Sequence, residues 1–230
     1  DEFNIQPMIA QSLMDDETEF IPLLTSDDDE NINSFKIPKE LPLLPLKNTV
    51  LFPGVVIPIT VGRDKSIKLI QEAYRKDKII AVVSQKDNTQ EEPAFHDLNM
   101  IGSVGVIMKV LRMPDGNTTV IIQGKKRIEV TGLVKDEPYM VGTVQEIIEA
   151  KPKDNNKNFS ATVSSLKDLA LQIIKQSPHI PSDAAFAIKN IESPSFLINF
   201  VASNMNLAVT DKQKMLEIGD LSERATAVLG

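Results

Sequence analysis

The chain has 230 residues, 42% hydrophobic and 25% charged, which suffices for one large or two small packed domains. It has no apolar run near the roughly 18–20 residues of a membrane helix, no basic-then-apolar leader and no cysteine. Disulfides, thiol catalysis and cysteine-held zinc are therefore excluded, and a reducing compartment such as the cytoplasm is the expected location.

The net charge of −7 is unevenly placed. Residues 1–35 carry ten carboxylates and no Lys or Arg, so the remainder holds a small excess of cations. An acidic arm on a nearly neutral body is not a strong polyanion binder. The arm, residues 1–39, contains two apolar knots, Ile5-Met8-Ile9-Leu13 and Phe20-Ile21-Leu23-Leu24, that could dock on the body or on a second copy. The chain opens on Asp1 rather than Met, and a helix begun at Asp220 is still running at Gly230. It is therefore expected to be cut from something longer.

Residues 40–150 read as β-rich. Eight of the ten glycines lie between Gly54 and Gly142, at turn and bulge spacing. Strands are expected at Val55–Val61, Ile79–Val83, Ile101–Leu111, Thr118–Gln123 and Val141–Ile148, with a hairpin turn at Asp115-Gly116. Pro42, Pro45 and Pro58 remove ladder donors, so their strands should be edges or bulged. One helix interrupts the strands. It is capped by Asp64 and buries a face of Ile67, Ile70, Ala73 and Tyr74.

Residues 151–157 read as a polar linker, and residues 158–230 as a helical subdomain cut short at its end. Val163, Leu166, Leu169, Ala170, Ile173 and Ile174 form a stripe at helical spacing. Pro178 and Pro181 break the chain around His179. Ser193 before Pro194 is an N-cap signal, Thr210 to Gln213 a capping box, and Asp220 another helix start.

The chemistry of known catalytic motifs is missing. There is no GxxxxGK[ST] phosphate loop, GxSxG elbow or HExxH helix. Asp27 to Glu30 lacks the glycine and terminal Glu of a calcium loop. His96 has carboxylate neighbours but no nucleophile, and reads as a turn residue. Large apolar groups beside Pro and Gly stand out instead. Phe52, Pro53 and Val55 mark one turn, and Met113 and Pro114 another, as a surface for binding other proteins. For Phe52 the competing assignment is a plug in the end of the barrel. Lys125, Lys126 and Arg127 form the sharpest basic cluster, either a phosphate contact or the solvent side of a strand end.

The run Leu43-Leu44-Pro45-Leu46-Lys47-Asn48-Thr49-Val50-Leu51-Phe52-Pro53-Gly54 resembles the opening signature of the N-terminal domain of the Lon family of ATP-dependent proteases. The likeness continues at Gly102-Ser103-Val104-Gly105, Gln123-Gly124-Lys125-Lys126-Arg127, Asp211-Lys212-Gln213 and Asp220-Leu221-Ser222-Glu223-Arg224. It implies an α+β fold: a β-rich PUA-like pseudobarrel with one inserted helix, followed by a C-terminal helical bundle. It also implies a non-catalytic module that captures unfolded or degron-bearing proteins and helps to assemble a hexamer of Lon subunits. The AAA+ motor domain, with its ATP and magnesium, and the Ser–Lys endopeptidase domain would lie outside these residues, leaving no cofactor here. No membrane partner is implied. PUA-like barrels also bind RNA, so an RNA-binding module using Lys125, Lys126 and Arg127, or a stand-alone adaptor, is the alternative.

Overall fold

The computed structural model describes Ile32, residues 34–176, Ala185 and residues 188–230. The apolar knots of the arm and the proline break around His179 lie outside the described residues. The chain divides into two compact units, a β unit of residues 36–147 and a helical unit in residues 148–230.

The β unit contains β1 (Glu40–Leu46), β2 (Val56–Val61), α1 (Asp64–Arg75), β3 (Ile79–Ser84), β4 (Ile101–Arg112), β5 (Thr118–Lys135) and β6 (Val141–Glu146). Strand order is β2-β5-β4-β3-β1-β6, and β6 also pairs with β5. Five strands therefore close into a ring, and β2 hangs on β5 as an edge. Pro58 sits on that edge, where a missing donor is tolerated. β1 lies within the ring yet carries two prolines. Its first half, Glu40 to Pro42, pairs with β6, and its second half, Leu43 to Leu46, pairs in parallel with β3. Each half is thus laddered on one side only, which accommodates Pro42 and Pro45.

β5 is much longer than the expected Thr118–Gln123 strand. Gly124 does not end it. The Gly124 N–H donates to the Val55 carbonyl at 2.9 Å, and the Gly54 N–H donates to the Gly124 carbonyl at 2.9 Å. A Cβ at Gly124 would lie 2.3 Å from the Phe52 carbonyl oxygen, so glycine here serves close backbone approach rather than a turn. Register shifts along β4–β5 and β5–β6 bend the long strands around the ring. The core holds Ile80, Val104, Val120, Ile122 and Ile128, all fully buried.

α1 starts one residue earlier than a cap at Asp64 would place it. Arg63 is the N-cap, without a side-chain hydrogen bond, and Asp64 lies in the first turn. The buried face is Ser66, Leu69, Ile70 and Ala73, while Tyr74 is exposed. The helix is rotated relative to the expected face because Leu69, not Tyr74, fills the core.

The helical unit holds α2 (Lys157–Gln176), α3 (Pro194–Asn204), α4 (Val209–Glu217) and α5 (Leu221–Leu229). α2 buries Leu166, Ala170, Ile173 and Ile174, one side of the expected stripe. In α3 every residue from Phe196 to Asn204 is buried, so this helix is the centre of the unit, packed against α2 and α5. Ser193 caps it, accepting from the Phe196 N–H at 3.2 Å. Asp220 caps α5, accepting from the Glu223 N–H at 3.0 Å. The capping box at Thr210 does not form. α4 begins two residues earlier, with Ala208 as its N-cap, and Lys212 and Gln213 are buried.

Candidate functional site

On the β unit, α1, β1 and the segments 92–94 and 136–140 surround an open cleft of about 210 Å³. That is below the roughly 300–1,000 Å³ of small-molecule sites and suits one or two side chains. Leu43, Pro45, Leu69 and Met140 give it an apolar lining, and Arg63, Lys65, Glu92 and Asp136 supply charge. Tyr139 also lines it. Its hydroxyl donates to Glu72 Oε2 at 2.6 Å, and burial, then that bond, push the phenol up to about 12. Lys65 lies 2.7 Å from Glu137 Oε1 and 3.8 Å from Asp136 Oδ1. The hydrogen bond with Glu137 raises its pKa. The Arg63 guanidinium donates to Gln85 Oε1, and the Gln85 amide donates onward to the Asp87 and Gln90 carbonyls.

The two apolar turns differ in accessibility. Phe52 is fully buried and Val55 nearly so, and Ser103 Oγ donates to the Leu51 carbonyl at 2.7 Å. These two side chains belong to the core rather than to an exposed turn, and only Pro53 is half-exposed there. The second turn projects. Pro114 is exposed and Met113 half-exposed. The tip is held by Met113 N–H to Asn117 carbonyl at 2.8 Å and Gly116 N–H to Met113 carbonyl at 2.9 Å, with Gly116 at φ +88°. Asp115 accepts from the Asn117 N–H at 3.0 Å and from its amide at 2.9 Å, which lowers the carboxyl pKa. Such a tip presents its apolar groups in a fixed geometry.

Lys125, Lys126 and Arg127 lie within β5 rather than at a strand end. Arg127 is buried, and Lys126 pairs with Glu146 at 2.9 Å. The three do not present one exposed basic face. His96 is exposed in a 3₁₀ turn, 3.3 Å from Asp97. Among the described residues no cluster of three His, Asp or Glu side chains could hold a metal, and no helix is long and apolar enough to cross a membrane.

The sequence profile described as the ATP-dependent protease La (LON) substrate-binding domain matches residues 40–230. The chain belongs to this family. The Lon protease of Flavobacterium johnsoniae is 58% identical over 215 residues, an alignment covering 94% of this chain and 26% of that protein. The Lon protease of Parabacteroides distasonis is 41% identical over 212 residues, covering 91% and 26%. The chain thus spans about a quarter of the length of these Lon relatives. The N-terminal domain of the Mycobacterium avium complex Lon protease matches with a TM-score of 0.67 at 21% identity, covering 83% of this chain and 96% of that one. A Lon N-terminal domain protein from Xanthomonas campestris matches at 0.59 and 17% identity, covering 84% and 98%. The α+β fold of Lon N-terminal domains is therefore the fold of this chain.

The Lon-type signature Leu43–Gly54 turns out to build structure. It forms half of β1 and the buried Phe52 loop. Sequence reasoning missed the cleft because its lining comes from several separated stretches of chain. Pro45 was the one available signal, since it leaves its half of β1 without a second ladder.

Proposed function

We propose that this chain is the substrate-capturing and assembly module of an ATP-dependent Lon protease in the cytoplasm. It binds exposed apolar stretches of unfolded or damaged proteins and makes no covalent change itself. ATP and magnesium would be used by a motor domain, and peptide bonds cut by a Ser–Lys protease domain, beyond these residues. Other Lon subunits, arranged as a hexamer, would be its second class of partner.

The observation that carries this reading is the rigid 113–117 hairpin tip with Met113 and Pro114 outward. Pro53 is a further apolar candidate on a half-exposed loop. Burying one such side chain contributes about 1.5–3 kcal/mol before ordering costs, so single contacts are weak and a ring gains by avidity. Photo-crosslinkers at positions 53, 113 and 114 should trap a permanently unfolded, reduced and alkylated protein. Crosslinkers at exposed Glu72 and Lys68 should not. Equal labelling at all five positions refutes the reading.

A further inference from the structure

We propose that the outer face of the sheet beside the C-terminal end of α1 is a docking surface for this chain's own acidic arm. The knot Phe20-Ile21-Leu23-Leu24 would lie on Tyr74 and Met108, with its flanking carboxylates among Arg75, Lys76, Lys78 and Lys109. The inference goes beyond capture at the hairpin tip and does not depend on it.

The surface follows from the register. Ile79 stands opposite Val106, Val106 opposite Gln123, and Gln123 opposite Val56, so these four residues share one face of four strands. Ile80 and Ile122, one position away, are fully buried in the core. The shared face therefore points outward, and all four of its residues are half-buried. Further along β4, Ile107 opposes Ile122 and Lys109 opposes Ile121, which leaves Met108 as the extra residue of a bulge. Met108 is 37% exposed and Tyr74 38%. Lys78 ties the two together. Its carbonyl accepts from the Ile107 N–H at 2.9 Å, and its ammonium lies 4.6 Å from the centre of the Tyr74 ring.

The charge around this surface is positive. Arg75, Lys76 and Lys109 form no ion pair among the described residues, and Lys78 is engaged only with the Tyr74 ring. Asp77 is the one carboxylate in the run from Arg75 to Ile79, and it accepts from the Ile79 N–H at 3.1 Å. Glu72 lies two positions before Tyr74, on the opposite side of α1, where it holds the Tyr139 hydroxyl. The partial negative charge of a helix end is about half a unit, too little to cancel these cations.

The arm has the complementary character. Residues 1–35 carry ten carboxylates, no Lys or Arg, and two apolar knots. Lys and Arg outnumber Asp and Glu in residues 36–147 and only equal them in residues 148–230, so the β unit is the one that attracts the arm. β1 and β3 run parallel, so the chain enters β1 from the end of the sheet at which β3 begins, the end that carries Lys76 and Lys78. Residues 25–35 separate the second knot from the β unit. Extended, they span up to about 40 Å, against a radius of gyration of about 13 Å for a unit of this size, so the knot reaches this face. Burying its apolar side chains on Tyr74 and Met108 would remove both partners from water.

The test uses the full 230-residue chain, which has no cysteine of its own. A nitroxide is attached at Ser26→Cys, beside the knot, and the methionine methyl groups are isotope-labelled for NMR. The Met108 methyl signal, assigned with Met108→Leu, should lose most of its intensity until the nitroxide is reduced. Met205 and Met215 of the helical unit should lose little. Lys76→Glu with Lys109→Glu should restore the Met108 signal, and so should Phe20→Ser with Leu23→Ser, a pair outside the β unit that leaves its packing untouched. Raised salt should restore part of it, because only the charged share of the contact is screened. Loss at Met205 or Met215 equal to that at Met108, or failure of either double variant to restore the signal, overturns the proposal. So does broadening of Met108 in a mixture in which nitroxide and isotope are carried by different chains, since the arm then docks on a second copy.

Discussion

Arg224 is the place where the helical unit is easiest to break. Its side chain is fully buried in α5. One guanidinium nitrogen donates to Glu149 Oε2 at 2.8 Å and to Asn199 Oδ1 at 3.1 Å. Nε and the other nitrogen donate to the Ile218 carbonyl at 3.2 and 2.6 Å. Arg224→Met keeps much of the volume but removes every one of these donors. The Glu149 carboxylate, 19% exposed, then loses its cation, and the Ile218 carbonyl loses two partners. Breaking one side of a buried pair costs about 3–5 kcal/mol. Ser195 Oγ still donates to Glu149 at 3.2 Å and some water reaches it, so the lower end, about 3 kcal/mol, applies. That is a large part of the roughly 5–15 kcal/mol typical of a domain. The chain has two units, so a single denaturation midpoint would mix them. Amide exchange in α3 and α5 under mild urea isolates the helical one. Adding Glu149→Leu to Arg224→Met should restore about half of the loss, because the stranded carboxylate is then gone. A cost below about 1 kcal/mol, or strict additivity of the two changes, would refute the reasoning.

Gly124→Ala should destabilise the β unit by about 3 kcal/mol, because the new Cβ meets backbone that cannot swing aside; Gly62→Ala, with nothing within 4 Å, should be nearly neutral in the same urea titration. Burial lowers the Lys212 pKa from 10.5 to about 8, while its ammonium donates to the Ser203 carbonyl at 2.8 Å. Below pH 8 both folded and unfolded chains hold the proton and the full burial penalty applies. Between about 8 and 10.5 only the unfolded chain holds it, so the helical unit should gain up to about 3 kcal/mol as pH rises. Urea midpoints that climb equally in Lys212→Met would show that the gain lies elsewhere. The raised Tyr139 pKa acts in the opposite sense: the unfolded phenol ionises near 10 and the folded one near 12, so its contribution to the β unit is complete below 10 and fades between the two. Ultraviolet titration of a Tyr74→Phe variant should follow this late phenol by itself, and Tyr139→Phe should cost about 1 kcal/mol through the lost bond to Glu72.

Signals confined to a few neighbouring residues were readable in the sequence. Asp115-Gly116 makes its turn, and Ser193 and Asp220 cap their helices, because each depends on groups two or three positions away. Gly124 misled for the opposite reason. Its role is set by Phe52, far away in sequence, and glycine alone does not distinguish a turn from a close crossing. Lys212 likewise looks like a solvent-facing helix residue until α3 places the Ser203 carbonyl above it. Phe52 shows the limit of inferring exposure from a Pro-Gly neighbour: the backbone turns, and the ring turns inward with it. Of the two apolar turns, the exposure of the 113–117 tip was legible because an exposed turn is a local property. The cleft was not, because it is a property of the closed ring.

The split pairing of β1 has a mechanical side. Glu40 lies opposite Thr143 and Pro42 opposite Val141, so both ends of the β unit leave from the same end of one short antiparallel ladder. Tension between those two exits would load its rungs one after another instead of all together. Pro42 has no N–H with which to strengthen a rung. A pull on the two exits thus meets the three β1–β6 rungs in turn, whereas a pull across β4 and β5 meets a ladder that runs from Ile101 to Arg112.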